Sequence, residues 1–163
     1  EPPMFVDVVN VTSAADMADV VKSKAAEQDI IIMTAAVADF CPSHPADEKI
    51  KKNDSSYESV IELERTEDIL SYLGAHKAKG QLICGFSMET QNMLENSKAK
   101  LAKKNADMIV ANNLKVAGAG FGTDTNVVTL ITADDCTELE IMDKSCVAAR
   151  IMDQLLKIGR AHV

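Results

Sequence analysis

Apolar and polar residues alternate along the chain in blocks that predict strands and helices in turn. Short, nearly continuous apolar runs predict buried strands, and longer stretches with apolar residues three or four positions apart predict amphipathic helices. The predicted strands are residues 4–9, 29–34, 57–64, 81–88 and 107–112, with an antiparallel pair at 127–132 and 137–142. The predicted helices are residues 12–28, 66–78 and 90–105, and a last one from about residue 145.

Local signals add detail to these elements. Ser13 followed by Asp16 predicts a capping box at the start of the first helix, and Thr66 is the expected cap of the second. Residues 41–56 are polar and contain two prolines, which predicts a long loop. The last helix is expected to bury four apolar side chains, those of Val147, Ile151, Met152 and Leu155.

The alternation of strands and helices predicts the fold class. It favours an α/β domain with a mostly parallel sheet covered by helices on both faces, and an antiparallel β pair near the C-terminus. Residues 1–163 contain no linker or repeat, and this length suits a single domain. Sheets of this kind bind ligands beyond the carboxyl ends of their strands. Three segments follow predicted strands in this way: residues 35–40, 85–89 and 111–113.

Charge and composition narrow the range of functions. The formal net charge of −8 argues against general binding to nucleic acid or to an anionic membrane. No apolar run approaches the ~20 residues needed to span a bilayer. The four cysteines form no C-x-x-C pair and the three histidines are scattered, so no structural zinc site is expected. Free thiols, with Cys84 expected in the core, favour a cytoplasmic protein.

The stretch "AAVADF" follows the second predicted strand. Its small residues Ala35, Ala36 and Ala38 let a ligand approach the backbone, where a flat base can exchange hydrogen bonds with peptide groups. Asp39 can accept from ribose hydroxyls or hold a cation. The alternative is a packed strand end with a surface aspartate, and the spacing alone leaves both open.

The stretch "EKIKK" carries lysines at positions 49, 51 and 52. A triphosphate needs several cationic donors, and lysine acts there as a compact point charge. The alternative is a solvated loop, because acidic neighbours nearly balance the lysines. Those neighbours are Asp47, Glu48 and Asp54.

Two further strand ends carry candidate residues. Phe86 in "GFSMET" can pack on a base at the mouth of its strand, or it can belong to the core. Asn112 and Asn113 in "VANN" offer amide groups to the polar edge of a ligand, or they simply turn the chain.

Taken together, five motifs in order resemble one family. They are "AAVADF", "EKIKK", "GFSMET", "KLAKKNADMIVANN" and "GFGTDTNVVTLI". The chain is similar over essentially its whole length to the bacterial phosphopantothenate–cysteine ligase domain, also called phosphopantothenoylcysteine synthetase. The resemblance implies a Rossmann-like fold, a homodimer and a role in coenzyme A biosynthesis. It implies a reaction in which CTP and Mg²⁺ activate 4′-phosphopantothenate as an acyl-cytidylate, from which L-cysteine displaces CMP.

The resemblance also implies roles for individual residues. Backbone groups of Ala38 and Phe40 would read the cytosine edge, and Asp39 would lie near the ribose or Mg²⁺. The residues expected around CTP are Ala38, Asp39, Phe40, Lys49, Lys52 and Phe86. Those expected near the reacting centre are Lys49, Ala35 and Ala36. Asn112 is the expected substrate-binding residue.

The chain departs from the family at its start. Members carry a glycine-rich phosphate loop and an "ISNxSSGxMG"-like segment before the region matched here, so the chain is expected to be N-terminally truncated and its activity reduced. A flavin-dependent decarboxylase domain is expected in the full-length bifunctional protein. Two other classes remain open: a non-enzymatic nucleotide-binding module and a dinucleotide-dependent oxidoreductase. The second requires a glycine fingerprint after a strand, and the sequence contains none.

Overall fold

The computed structural model of the protein describes residues 4–46, 48–49, 60–89, 92–113 and 122–161. The helices in these ranges are α1 (Ala14–Ala25), α2 (Ile69–Ala75), α3 (Met93–Lys103) and α4 (Lys144–Ala161). The longer strands are β1 (Ile30–Met33), β4 (Leu82–Glu89), β5 (Met108–Asn113) and β7 (Val128–Ile131). The shorter ones are β2 (Phe40–Pro42), β3 (Leu63–Arg65), β6 (Thr125–Asn126), β8 (Cys136–Glu138) and β9 (Met142–Asp143).

Five strands form one sheet in the order β1-β4-β5-β7-β8. β1, β4 and β5 are parallel, whereas β7 and β8 run antiparallel to their neighbours. This arrangement confirms the predicted α/β class and the antiparallel pair near the C-terminus. Two small ladders, β2 with β3 and β6 with β9, lie apart from this sheet.

Buried side chains form a cluster on each face of the sheet, and β4 contributes to both. Cys84 belongs to the cluster that includes Leu155 of α4. Ile83, the next residue, belongs to the cluster with Ala18 of α1 and Leu73 of α2. Successive residues of a strand point to opposite faces, so the two clusters show helices on both sides of the sheet.

Cys84 is a core thiol, as predicted. It is fully buried, and burial together with the charge of Asp107 raises its pKa to about 12. The thiol therefore stays protonated at neutral pH and contributes packing rather than reactivity. All four cysteines are free.

The first predicted strand, residues 4–9, is wrong. Residues 6–12 have no regular structure, and their apolar side chains, such as Val6 and Val8, are exposed. β1 pairs with β4 on one side, and no strand in the described ranges pairs with its other edge. Alternating apolar residues form a strand only when a neighbouring strand accepts their backbone hydrogen bonds. The edge strand β1 is also less covered than expected, with Ile32 36% exposed.

The helix starts agree with the sequence in one case and differ in another. At α1, the Ser13 hydroxyl accepts from the Asp16 N–H at 3.1 Å and the Asp16 carboxylate accepts from the Ser13 N–H at 3.0 Å, which confirms the capping box. At α2, Thr66 is not the cap. Asp68 caps the helix instead, with its carboxylate accepting from the Ser71 N–H at 3.0 Å.

The last helix buries three of the four side chains expected. Val147, Ile151 and Leu155 follow one another at four-residue intervals and form one buried stripe. Met152 lies one position off this stripe and is 38% exposed, so its predicted burial is wrong. No helix in the described part of the chain is long and apolar enough to cross a membrane.

The segment between β1 and α2 differs from the prediction of a loop followed by a strand at 57–64. β2 forms at the start of the expected loop and pairs antiparallel with β3, with Phe40 opposite Arg65. The three side chains of β3 are exposed. Residues 47 and 50–59, including part of the predicted loop and strand, lie outside the described ranges.

Candidate functional site: a cleft at the carboxyl ends of β1 and β4

A cleft of about 520 Å³ opens beyond the carboxyl ends of the parallel strands β1 and β4. One wall is the segment that follows β1, a second is the segment from the end of β3 into α2, and a third is one side of α3. Because β1 and β4 are parallel neighbours, their carboxyl ends meet at one edge of the sheet, where ligands bind in folds of this kind.

Several residues singled out from the sequence line this cleft. They are Ala35, Ala38, Asp39 and Phe86. Phe86 also packs against the core cluster on the α4 side, so it is partly a core residue. Ala36, Phe40 and Lys49 are exposed and are not among the lining residues. Lys52 lies outside the described ranges.

Asn112 lies at the carboxyl end of β5, one strand beyond β4, and does not line the cleft. Its side-chain oxygen accepts a hydrogen bond of 2.8 Å from Asn126. Asn126 in turn accepts from the Val127 N–H at 2.9 Å. The amide of Asn112 therefore ties β5 to β6 in this structure.

Four basic side chains at the cleft were not assigned from the sequence. They are Arg65, Lys100, Lys103 and Lys104. The three lysines are spaced at i, i+3 and i+4 along the last turn of α3 and its C-cap residue Lys104, which places them on one side of the helix end. The motif "KLAKK" carried this spacing, but a lysine-rich helix face is usually solvated, so the sequence alone did not point to a site.

The three cleft lysines differ in their hydrogen bonds and ion pairs. Lys100 Nζ donates to the main-chain carbonyl of Phe86 at 2.8 Å. Lys104 forms an ion pair with Asp68 and donates to the Ser71 hydroxyl at 2.8 Å. Lys103 is exposed and forms no ion pair with any residue in the described ranges.

The carboxylates at the cleft also differ. Glu67 pairs with Lys22 of α1 at 2.6 Å, and Asp68 pairs with Lys104. Burial acts to raise the pKa of Asp68, but hydrogen bonds from Lys104 and Ser71 outweigh it and hold the pKa below its usual value. Within the described ranges, Asp39 is the cleft carboxylate without an ion pair.

This arrangement suits an anionic ligand accompanied by a cation. Small residues line one wall of the cleft and lysines at the end of α3 line another, so a flat group can lie against the backbone while phosphates reach the exposed Lys103. No cluster of three or more potential metal-ligating side chains occurs among the described residues. Mg²⁺ is commonly held by one or two carboxylates together with substrate phosphates and water, so Asp39 alone suits a nucleotide-bound Mg²⁺.

Comparison with known proteins identifies the family. Residues 1–158 match the model of the DNA/pantothenate metabolism flavoprotein C-terminal domain. The chain belongs to this family. The match includes every residue that lines the cleft.

Curated relatives share the sequence over nearly all of this chain. The coenzyme A biosynthesis bifunctional protein CoaBC of Bacillus subtilis (strain 168) is 44% identical over 161 residues, which cover 98% of this chain and 39% of that protein. A cysteine/cysteine sulfinic acid decarboxylase from an unknown prokaryotic organism is 44% identical over 154 residues, covering 94% of this chain and 42% of that protein. The chain thus spans about two-fifths of the length of these relatives.

Solved structures show the same fold. The crystal structure of the C-terminal domain of the bifunctional protein CoaBC is 41% identical, with a TM-score of 0.79, and covers 99% of this chain and 72% of that one. A mutant of Cab2 in complex with phosphopantothenate-cysteine is 18% identical, with a TM-score of 0.66, and covers 93% of this chain and 52% of that one. At that identity the second likeness is one of fold.

Proposed function

We propose that this chain forms the nucleotide-binding part of a phosphopantothenate–cysteine ligase that uses CTP. The observation that carries the proposal is the meeting of two walls in one cleft. Ala35, Ala38 and Asp39 line the cleft after the end of β1, and Lys100, Lys103 and Lys104 at the end of α3 line the same cleft. The motif resemblance supports this reaction, and the CoaBC relatives support a role in coenzyme A biosynthesis.

The reaction has two steps, and its atoms balance without a covalent bond to the protein. In the first, a carboxylate oxygen of 4′-phosphopantothenate bonds to the α-phosphorus of CTP, and the bond from that phosphorus to pyrophosphate breaks. In the second, the amine nitrogen of L-cysteine bonds to the acyl carbon, CMP leaves with the acyl oxygen, and the amine loses a proton.

Both reactants of the first step are anions, so the residues that lower their repulsion matter most. Positioning and charge neutralisation dominate phosphoryl and nucleotidyl transfers. Lys103 lines the cleft and forms no ion pair within the described ranges, so it is the cleft lysine assigned to a phosphate. Lys49 does not line the cleft in this structure, and its role near the phosphates rests on the motif resemblance. When bound, Mg²⁺ would neutralise part of the triphosphate charge beside Asp39.

A decarboxylase is the rival function, because one relative carries that name. The chain matches 42% of that protein, and the cleft described here is lined by lysines that can bind a triphosphate.

A homodimer, expected from the resemblance, is part of the proposal, and its mass in solution is measured by light scattering.

The two functions are separated by ligand binding and turnover in the intact protein. We expect CTP with Mg²⁺ to raise the melting temperature more than ATP does, since a ligand at 100 times its Kd stabilises the folded state by about 2.7 kcal/mol. We also expect pyrophosphate release that requires 4′-phosphopantothenate. Equal stabilisation by CTP and ATP would remove base recognition from the proposal. Flavin binding and CO₂ release without any nucleotide requirement would favour the decarboxylase.

A further inference from the structure

Thr66 is hydrogen-bonded to two successive carbonyls on the opposite wall of the cleft. Its N–H donates to the Asp39 carbonyl at 3.0 Å, and its hydroxyl donates to the Ala38 carbonyl. Thr66 follows β3 directly and lines the cleft together with Ala38 and Asp39.

The segment that Thr66 holds has little regular structure of its own. Residues 34–38 are neither helix nor strand, and the side chains of Ala35, Ala38 and Asp39 are exposed. Its direction is therefore set by the contacts made at its end, where the β2–β3 ladder begins. The two bonds to Thr66 orient the peptide groups on either side of Asp39.

The ladder register shows which backbone groups of β2 form no hydrogen bond to β3. The bonds from the Thr66 N–H to Asp39 and from the Ser43 N–H to Glu62 flank the pairs formed by β2 and β3. In an antiparallel ladder this pattern makes Phe40 and Arg65 a pair that exchanges no backbone hydrogen bonds. The N–H and C=O of Phe40 therefore point away from β3, and no strand in the described ranges pairs with that edge of β2.

We propose that Thr66 is a positioning residue that sets the nucleotide-reading edge of the cleft. By fixing the carbonyls of Ala38 and Asp39, it directs the Asp39 carboxylate, which lines the cleft, and the peptide groups of Phe40, which adjoin the cleft in sequence. This inference rests on the proposed function, because it assigns a nucleotide to the cleft. It predicts that base selectivity depends on a hydroxyl that need not touch the nucleotide.

The experiment compares Thr66→Val with Thr66→Ser in the intact protein. Valine keeps the β-branched shape and the backbone N–H but lacks the hydroxyl, whereas serine keeps the hydroxyl. We expect Thr66→Val to raise the KM for CTP about five- to tenfold, the size of one lost hydrogen bond, with kcat little changed. We expect Thr66→Ser to restore most of the affinity and the preference for CTP over ATP.

Thr137→Val is the matched control. The Thr137 hydroxyl also donates to a neighbouring acceptor, the Asp135 carboxylate, at 2.9 Å, and it lies outside the cleft. This variant should bind CTP as the wild type does. If Thr66→Val does not fold, Thr66→Ala takes its place with the same expectation.

Two results would overturn the inference alone. One is wild-type affinity and selectivity in Thr66→Val. The other is an equal loss of affinity for CTP and ATP in both Thr66 variants, in proportion to their loss of thermal stability, which indicates a purely structural role. Failure of the wild-type protein to bind CTP would overturn the proposed function, and this inference with it.

Discussion

Lys100 and Phe86 are joined by a hydrogen bond of 2.8 Å from the lysine Nζ to the phenylalanine carbonyl. This bond ties α3 to β4 at the floor of the cleft, so Lys100 serves the structure before any ligand arrives. Lys104 is similarly committed to Asp68 and Ser71. Lys103, between them, lines the cleft and forms no ion pair within the described ranges, so its charge is available to an anion there.

Changing Lys103 to glutamine should weaken CTP binding without weakening the fold. Hydrogen bonds to charged groups contribute about 1.5–3 kcal/mol, so we expect the Kd for CTP to rise by at least about tenfold. Isothermal calorimetry measures the affinity, and thermal melting measures the stability. Lys98→Gln is the control, because Lys98 is an exposed lysine of the same helix that does not line the cleft. An equal loss in both variants would show that net charge alone attracts the nucleotide.

Asp39→Asn should remove the contribution of Mg²⁺ to nucleotide binding. Asp39 is exposed and forms no ion pair within the described ranges, so the fold should lose little. We expect added Mg²⁺ to strengthen CTP binding in the wild type and to have little effect in the variant. A titration of CTP with and without Mg²⁺ tests this. A variant that melts several degrees lower but keeps its Mg²⁺ response would make Asp39 a structural residue.

We expect the protein to lose the stabilisation contributed by Asp68 at acid pH. Its folded-state pKa is lowered from 3.8, so the stabilisation is present above that pH and is lost as the pH falls through the lower folded value. Asp68→Asn should therefore cost stability at pH 6 and less at a pH below 3.8. Denaturant unfolding at the two pH values measures this difference. Asp153→Asn, at an exposed position of α4, is the control for the loss of one negative charge.

Gly74→Ala should be among the most damaging small substitutions. A Cβ at Gly74 would overlap the main-chain carbonyl of Lys104, and backbone cannot move aside as a flexible side chain can. Beside this contact, the side-chain amide of Asn105 donates a hydrogen bond of 2.8 Å to the Gly74 carbonyl. We expect a loss of at least about 3 kcal/mol in unfolding free energy, the size of the larger core defects.

Gly159→Ala is the matched control for that prediction. Its Cβ would meet Leu82 at 3.4 Å, an ordinary contact, and the position lies in α4. Alanine is favoured over glycine in a helix by up to about 1 kcal/mol, so this variant should be as stable as the wild type or more so. Chemical denaturation of both variants gives the comparison. Equal stability of Gly74→Ala and wild type would mean that α2 and α3 can move apart.

The sequence was most informative where one element alone carried the pattern. The capping box of Ser13 and Asp16 and the buried run of β4 are local features, and both were predicted correctly. The three-residue strand β3 is too short for a periodicity, and its exposed side chains give no apolar signal. Residues 4–9 had the signal of a strand but lack a paired neighbour in the described structure.

Some cleft residues could be predicted from the sequence and others could not. The small residues after β1 could be recognised from their place behind an apolar strand. Thr66 and the cleft lysines lie 28 or more positions after Ala38 in the sequence, and only the fold brings them to the same cleft. No spacing rule connects such distant positions, so the cationic wall and the bonds of Thr66 could not be derived from the pattern.

Because the β2–β3 ladder is separate from the five-stranded sheet, we expect it to open locally without global unfolding. Two-stranded ladders with exposed side chains are marginally stable by themselves, and such regions exchange amide hydrogens through local opening rather than through global unfolding. Ile83 and Ile109, buried in the sheet, should exchange slowly, whereas Cys41 and Glu64 of the ladder should exchange much faster. The ladder, which adjoins the cleft through Arg65, can therefore open while the core remains folded, and a bound nucleotide would first be detected as slower exchange in this ladder.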